Sequence, residues 1–229
     1  MMKKGFTLSE VLITLSIVGV VAVLTIPGVV KNYKNRLYVS QLQKVTSQIE
    51  NATRSIMNDE HVDNFLETKV LLDKVIVDEI EMTGWEYFMT KYFKTSKINC
   101  GNGNEQNPCI AKGSVGTTID LDAYHSISGA KAGYMNGYCI QTVNGAAICA
   151  NYNPANLTTT IFIDVNGSAE PNIAGRDAFV VNIDNDGSIY DPSVGSQCNK
   201  SKSGWGNLVA KYAAGCYQNI VDAGWKMEY

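Results

Sequence analysis

The sequence predicts an α+β protein in which one long N-terminal helix lies against a globular domain built on an antiparallel sheet. Three observations carry that prediction. From Val11 to Val30 no side chain is charged, and the apolar character continues as a one-sided stripe of Tyr38, Leu42, Val45, Ile49, Ala52 and Ile56, the repeat of a helix face. Further on, short β-branched and aromatic runs alternate with turn signals, Asn144-Gly145 foremost among them. All six cysteines, at 100, 109, 139, 149, 198 and 216, follow the apolar run, an even number that suits disulfides in an extracytoplasmic domain.

The apolar run comes first in the chain. Twenty residues at about 1.5 Å each reach roughly 30 Å, enough to cross the hydrocarbon core of a bilayer. One carboxylate, Glu10, stands at its head, directly after Lys3-Lys4-Gly5-Phe6-Thr7-Leu8-Ser9. An ionisable group in a membrane segment costs on the order of 2.5–3.5 kcal/mol at the centre, so it needs a partner. An ordinary secretory signal would add a small-x-small cleavage site, which Ala22-Val23-Leu24 does not supply. A plain anchor gives no reason for Glu10. Lys3 and Lys4 precede the run while Lys31, Lys34 and Arg36 follow it, so counting basic residues does not orient the segment.

The whole string resembles the N-terminal signal of type IV pilins and type II secretion system pseudopilins: a basic leader, Gly, Phe-Thr-Leu-x-Glu, then an aliphatic helix. The resemblance covers residues 3 to about 30. It implies that Gly5 ends a leader cut from Phe6 by a prepilin peptidase and methyltransferase, and that Phe6 becomes an N-methylated terminus. Glu10, fifth in the mature chain, would then meet the terminal amine of a neighbouring subunit. Pairing offsets much of the cost of the two buried charges and fixes the stagger of adjacent helices. Pro27 matches a helix-kinking proline of the family, where a missing N–H and a ring clash loosen the backbone. The implied fold is pilin-like α+β. Its organisation would be a leader at 1–5, a transmembrane helix at 6–30, an amphipathic continuation at 31–58 and a disulfide-containing head at 59–229. The implied location is the inner membrane, crossed once, with the head outside the cytoplasm. The implied partners are membrane lipid, the processing enzyme, an inner-membrane assembly platform and other pilin or pseudopilin subunits.

After the helix, Asp63 to Met82 carries Phe65, Leu66, Val70, Leu71, Val75, Ile76 and Ile80 and reads as one or two shorter helices. Strand signals dominate later: Val115–Leu121, Tyr138–Val143, Ala146–Tyr152, Thr160–Val165 and Phe179–Ile183. Six cysteines leave many connectivities open, and short-range chain closure favours Cys100–Cys109, Cys139–Cys149 and Cys198–Cys216. The hairpin sharpens the middle pair. A two-residue turn at Asn144-Gly145 sets Cys139 opposite Ala150. A three-residue loop, Val143-Asn144-Gly145, sets Cys139 across from Cys149 and requires positive φ at Gly145.

Net charge is −3, and no basic stripe marks the domain, so nucleic acid is not an expected partner. The stretches around Asp164 and Asn166, and around Asp184 and Asp186, place oxygen donors at alternate residues. That invites a calcium reading, although Ser193 stands where an EF-hand loop needs its bidentate Glu. Turn chemistry accounts for the same residues. His61 and His125 sit in no nucleophile or metal motif, and no G-x-S-x-G occurs, so the chain does not read as an enzyme. The tail aromatics Trp205, Tyr212, Tyr217, Trp225 and Tyr229 read as core packing, with an exposed recognition patch as the other reading. Two functions stand: a structural subunit of a type II secretion or type IV pilus-like assembly, or a pilus-associated ligand-binding, adhesion or uptake module.

Overall fold

The computed structural model describes residues 7–101, 108–111, 124–127, 131–132, 137–153, 158–191, 193, 198 and 212–229. The chain divides into two units, Met1–Leu37 and Tyr38–Tyr229. Helix α1 runs from Leu8 to Glu60 and continues through Pro27, whose ring leaves the carbonyl of Val23 without its usual donor. In the first unit the apolar residues of this helix are exposed, Val18 and Leu24 by 63% and 75%. Hydroxyls within the apolar run turn back on the helix: Thr14 donates to the carbonyl of Glu10 at 2.9 Å, Ser16 to Leu12 at 2.8 Å and Thr25 to Val21 at 2.9 Å. Such back-bonding hides polar hydrogens where no water is at hand.

In the second unit, the stripe Tyr38, Leu42, Val45, Ile49, Ala52 and Ile56 is buried, and Leu42, Ile49 and Ile56 have no exposed surface. Burying each such aliphatic side chain contributes about 1.5–3 kcal/mol. Their partners are one face of a six-stranded antiparallel sheet in the order β10-β9-β8-β7-β6-β3. The strands are β3 (Thr95–Lys97), β6 (Tyr138–Thr142), β7 (Ala147–Asn153), β8 (Thr158–Asp164), β9 (Ala178–Ile183) and β10 (Ile189–Tyr190). The pleat sorts the side chains by parity. Ile148, Ile161, Ile163, Phe179 and Val181 join the helix-side core, while Cys149, Phe162, Ala178 and Val180 join a second core on the opposite face. That second core also holds Cys100, Cys109, Ile110, Tyr124, Ala174 and Ala213. A sheet buried on both faces explains why its strands read as near-continuous apolar runs. A separate pair, β4 (Tyr124–His125) and β5 (Lys131–Ala132), lies apart from this sheet in the pairing order.

Residues 63–82 depart from the helical expectation. Phe65–Glu67 and Lys69–Leu71 form single 3₁₀ turns, and a hairpin follows, β1 (Val75–Val77) against β2 (Ile80–Met82). Three consecutive β-branched residues favour a strand. The turn is made by Asp78 and Glu79 at φ 48° and 68°, the left-handed pair that a tight hairpin demands. Without Asn or Gly in the turn, the hairpin carries no sequence signal. Helix α2 (Gly84–Tyr92) follows at once, its start fixed by the Thr83 side chain, which accepts from the N–H of Glu86 at 3.2 Å. Its Trp85 and Phe88 pack edge to face with each other and around Phe65, with Phe93 behind. A short helix, α3 (Cys216–Asp222), lies in the tail, where Tyr217 packs against Trp225 at 6.1 Å. The hydroxyl of Tyr229 donates to the carbonyl of Gly175 at 2.6 Å. Val115–Leu121 and Trp205 lie outside the described residues.

Candidate functional site

The N-terminal site is built from the start of α1. Thr7 and Glu10 cap the helix reciprocally: the backbone N–H and hydroxyl of Thr7 donate to Glu10 Oε2 at 2.8 Å and 2.7 Å. The Glu10 N–H in turn donates to Thr7 Oγ1 at 3.3 Å. This is the capping-box arrangement, two orphan donors of a helix terminus satisfied by one Thr and one Glu three residues on. Glu10 therefore has a use inside its own chain. Gly5 and Phe6 lie outside the described residues. Beyond Glu10 the helix offers a sleeve of exposed aliphatic side chains, and it is long and apolar enough to cross a membrane.

In the second unit, three disulfides join Cys100–Cys109, Cys139–Cys149 and Cys198–Cys216. Cys139 faces Cys149 directly in the β6–β7 register, their Cα atoms 4.0 Å apart. The loop between the strands is Val143-Asn144-Gly145. Thr142 N–H donates to Ala146 O at 2.8 Å, the N–H of Gly145 donates to Thr142 O at 2.9 Å, and Gly145 stands at φ 92°. The Cys100–Cys109 loop hangs from the same strand, Cys100 N–H donating to Cys139 O at 3.0 Å. Two of the bridges thus share the second core.

The oxygen-rich segments belong to two different turns. Asp164 ends β8 and is wholly buried; its Oδ2 accepts the Tyr124 hydroxyl at 2.7 Å and its Oδ1 the N–H of Asn166 at 3.2 Å. Asn166 donates from its amide to the carbonyls of Ala169 and Glu170. Asp184 and Asp186 are exposed and accept from the N–H groups of Asn185 and Ser188, at 2.8 Å and 2.9 Å. Strand β9 separates the pairs, because Ala178 faces Asp164 at one end and Asp184 follows the other, roughly 20 Å along at about 3.3 Å per residue. The EF-hand-like run beginning at Asn182 is therefore a hairpin between β9 and β10, with Gly187 at φ 81°. The backbone already draws on these oxygens. Among the described residues no group of three or more His, Cys, Asp or Glu side chains could hold a metal ion.

A second buried carboxylate sits beside Asp164. Asp177, also without exposed surface, accepts from the N–H groups of Asn172, at 2.8 Å, and Ile173. It thereby shapes the connection from β8 to β9. Burial pushes its carboxyl up to about 6, against the pull of those backbone donors. Burial and the nearby Asp177 charge push Asp164 well above the usual carboxylate range. Asp191 plays a similar part in the tail, accepting from the N–H groups of Ser193 and Gly215 at 2.9 Å and 3.1 Å. Gly175-Arg176-Asp177 continues the oxygen-rich stretch around Asp164 that invited a calcium reading, but nothing local says that such an aspartate faces inward.

Residues 1–26 match the family model of the prokaryotic N-terminal methylation motif. Comparison with curated proteins and with solved structures gives no match. The N-terminus is the prepilin-type cleavage and methylation signal of type IV pilins and pseudopilins. The motif marks a type IV pilin-like precursor handled by prepilin peptidase and assembled with other pilin subunits, with its head outside the membrane.

Proposed function

We propose that this chain is a pseudopilin or minor pilin of a type II secretion or type IV pilus-like machine. Its leader, residues 1–5, is cut after Gly5, and Phe6 becomes the methylated terminus. Residues 6–30 hold the subunit in the inner membrane, residues 31–58 carry the helix into the head, and the subunit then enters an extracytoplasmic fibre. On assembly Glu10 leaves Thr7 and pairs with the Phe6 amine of a neighbour. The work is mechanical, and the chain carries out no reaction of its own.

The observation that carries this reading is the methylation motif, lying at the head of an apolar helix whose continuation forms one wall of a disulfide-bonded domain. The exposed large apolar side chains of that domain, among the described residues, are Leu72, Ile76, Ile80, Ile98 and Val143. All are aliphatic, which favours a scaffold over an aromatic recognition surface for a ligand.

The test uses the full chain in the cells that assemble the fibre. Mass spectrometry of the fibre fraction should find a mature start at methyl-Phe6. Glu10→Val should insert in the membrane at least as well as wild type, losing only its cap with Thr7, yet be depleted from fibres about tenfold or more, because in the fibre its charge meets a neighbour's amine. An intact Met1 or Met2 terminus in fibres, or normal incorporation of Glu10→Val, would count against the reading.

A further inference from the structure

Charge is segregated along this chain. Residues 11–49 hold four basic side chains and no acidic one, whereas residues 50–229 hold 21 acidic and 13 basic, a net of −8. Of the four, Lys44 is engaged with Asn144 Oδ1 at 2.9 Å. Lys31, Lys34 and Arg36 remain exposed on α1 and form no ion pair among the described residues. They form a collar just past the apolar run, and Tyr33 and Leu37, one helical turn apart, stand in it 67% and 41% exposed. Basic residues on the far flank of a membrane helix run against the usual preference for the cytoplasmic side, so their placement has a cost and calls for a use.

The β1–β2 hairpin is complementary. Its turn is Asp78-Glu79, and Asp73 precedes it; all three are exposed and none has an ion-pair partner among the described residues. Beside them Leu72, Ile76 and Ile80 are 52%, 64% and 62% exposed, an unusual aliphatic density for a two-stranded ribbon facing water. Asp78 and Glu79 make the turn at left-handed φ, and both are exposed.

We propose that the acidic, aliphatic β1–β2 hairpin of one copy docks on the basic collar of a second copy, with Asp73, Asp78 and Glu79 meeting Lys31, Lys34 and Arg36 around Tyr33 and Leu37. This inference rests on the fibre reading above and names the surface through which one subunit grips the next. Charged rims of this kind set register and partner choice, while the aliphatic centre supplies contact area.

The experiment reverses charge on either side in the full chain. Lys31→Glu with Lys34→Glu, and separately Asp73→Lys with Glu79→Lys, should each cut incorporation into sheared fibres about tenfold or more. All four together should return it to within about threefold of wild type. A quadruple variant as poor as either pair, or pairs that assemble normally, would overturn the docking. So would a collar that serves only lipid: in that case Lys31→Glu with Lys34→Glu weakens retention on anionic vesicles, and hairpin reversal rescues nothing. A second measurement separates this inference from the one beneath it. A benzophenone side chain in place of Glu79 in one tagged copy should cross-link to residues 31–37 of a differently tagged copy. If the cross-link forms while wild type never enters fibres, the fibre reading fails and the docking stands. If wild type enters fibres without the cross-link, the docking fails alone.

Discussion

Two glycines separate two kinds of necessity at the level of single residues. Gly145 closes the β6–β7 loop at φ 92°, and a methyl group there would meet nothing within 4 Å. Gly175 stands at φ 82°, where a Cβ would come within 2.5 Å of Cys216 Sγ and 3.2 Å of Cys198 Sγ. Gly145→Ala should therefore cost only the backbone term, about 1 kcal/mol, and Gly175→Ala should cost at least about 2 kcal/mol more, since it also displaces a disulfide. Urea denaturation of the two variants checks the order; equal losses would contradict it. Asp177 supplies a pH signature. Its folded pKa, about 6, lies above the 3.8 of an unperturbed aspartate, so between those values the folded chain binds the extra proton. This contribution to stability thus grows as pH falls from about 7 to about 4 and fades as pH rises through 6. Asp59 and Asp186 are held below the usual range by hydrogen bonds to Tyr92 and Ser188, but both are exposed, and their opposite contributions are small. Asp177→Asn should be less stable overall by about 1–3 kcal/mol, having lost an acceptor, yet the wild-type advantage should widen on acidification. An advantage that shrinks between pH 7 and pH 4 would show that the sign is wrong.

At the level of elements, what could be read from the sequence depended on how local the cause is. The stripe from Tyr38 to Ile56 announces α1 because a helix face repeats within a few residues. The β6–β7 hairpin was readable because Gly145 and two cysteines fix both its loop and its register. The β1–β2 hairpin was not, because its turn relies on Asp78 and Glu79 accepting left-handed backbone that their types seldom choose. Helix α2 left a cue in Thr83-x-x-Glu86, short enough to pass for chance. At the candidate site the methylation motif lies in contiguous residues. Asp164 and Asp177 are thirteen positions apart, and both face inward only because the chain between β8 and β9 folds back on them. Burial created by distant chain leaves no mark at the residue itself.

At the scale of the whole chain, each of the two units has its own character. Among the described residues, every member of both apolar cores lies at or beyond Tyr38. A chain beginning at Lys31 should therefore be water-soluble and melt cooperatively, with the three disulfides retained. Circular dichroism and thiol titration check this, and a non-cooperative melt would count against it. A chain beginning after Ile56 should fail to fold, for it lacks the stripe that covers one face of the sheet. The same stripe carries a burden in time. Ile56 is made before Tyr138, the start of the first long strand that covers it, by roughly eighty residues, which at about 5–20 residues per second is some 4–16 s of synthesis. Throughout that interval Leu42, Ile49 and Ile56 have no sheet to receive them. The cell must shelter this helix while its partners are still being translated, and a slow ribosome would lengthen its exposure to every other apolar surface nearby.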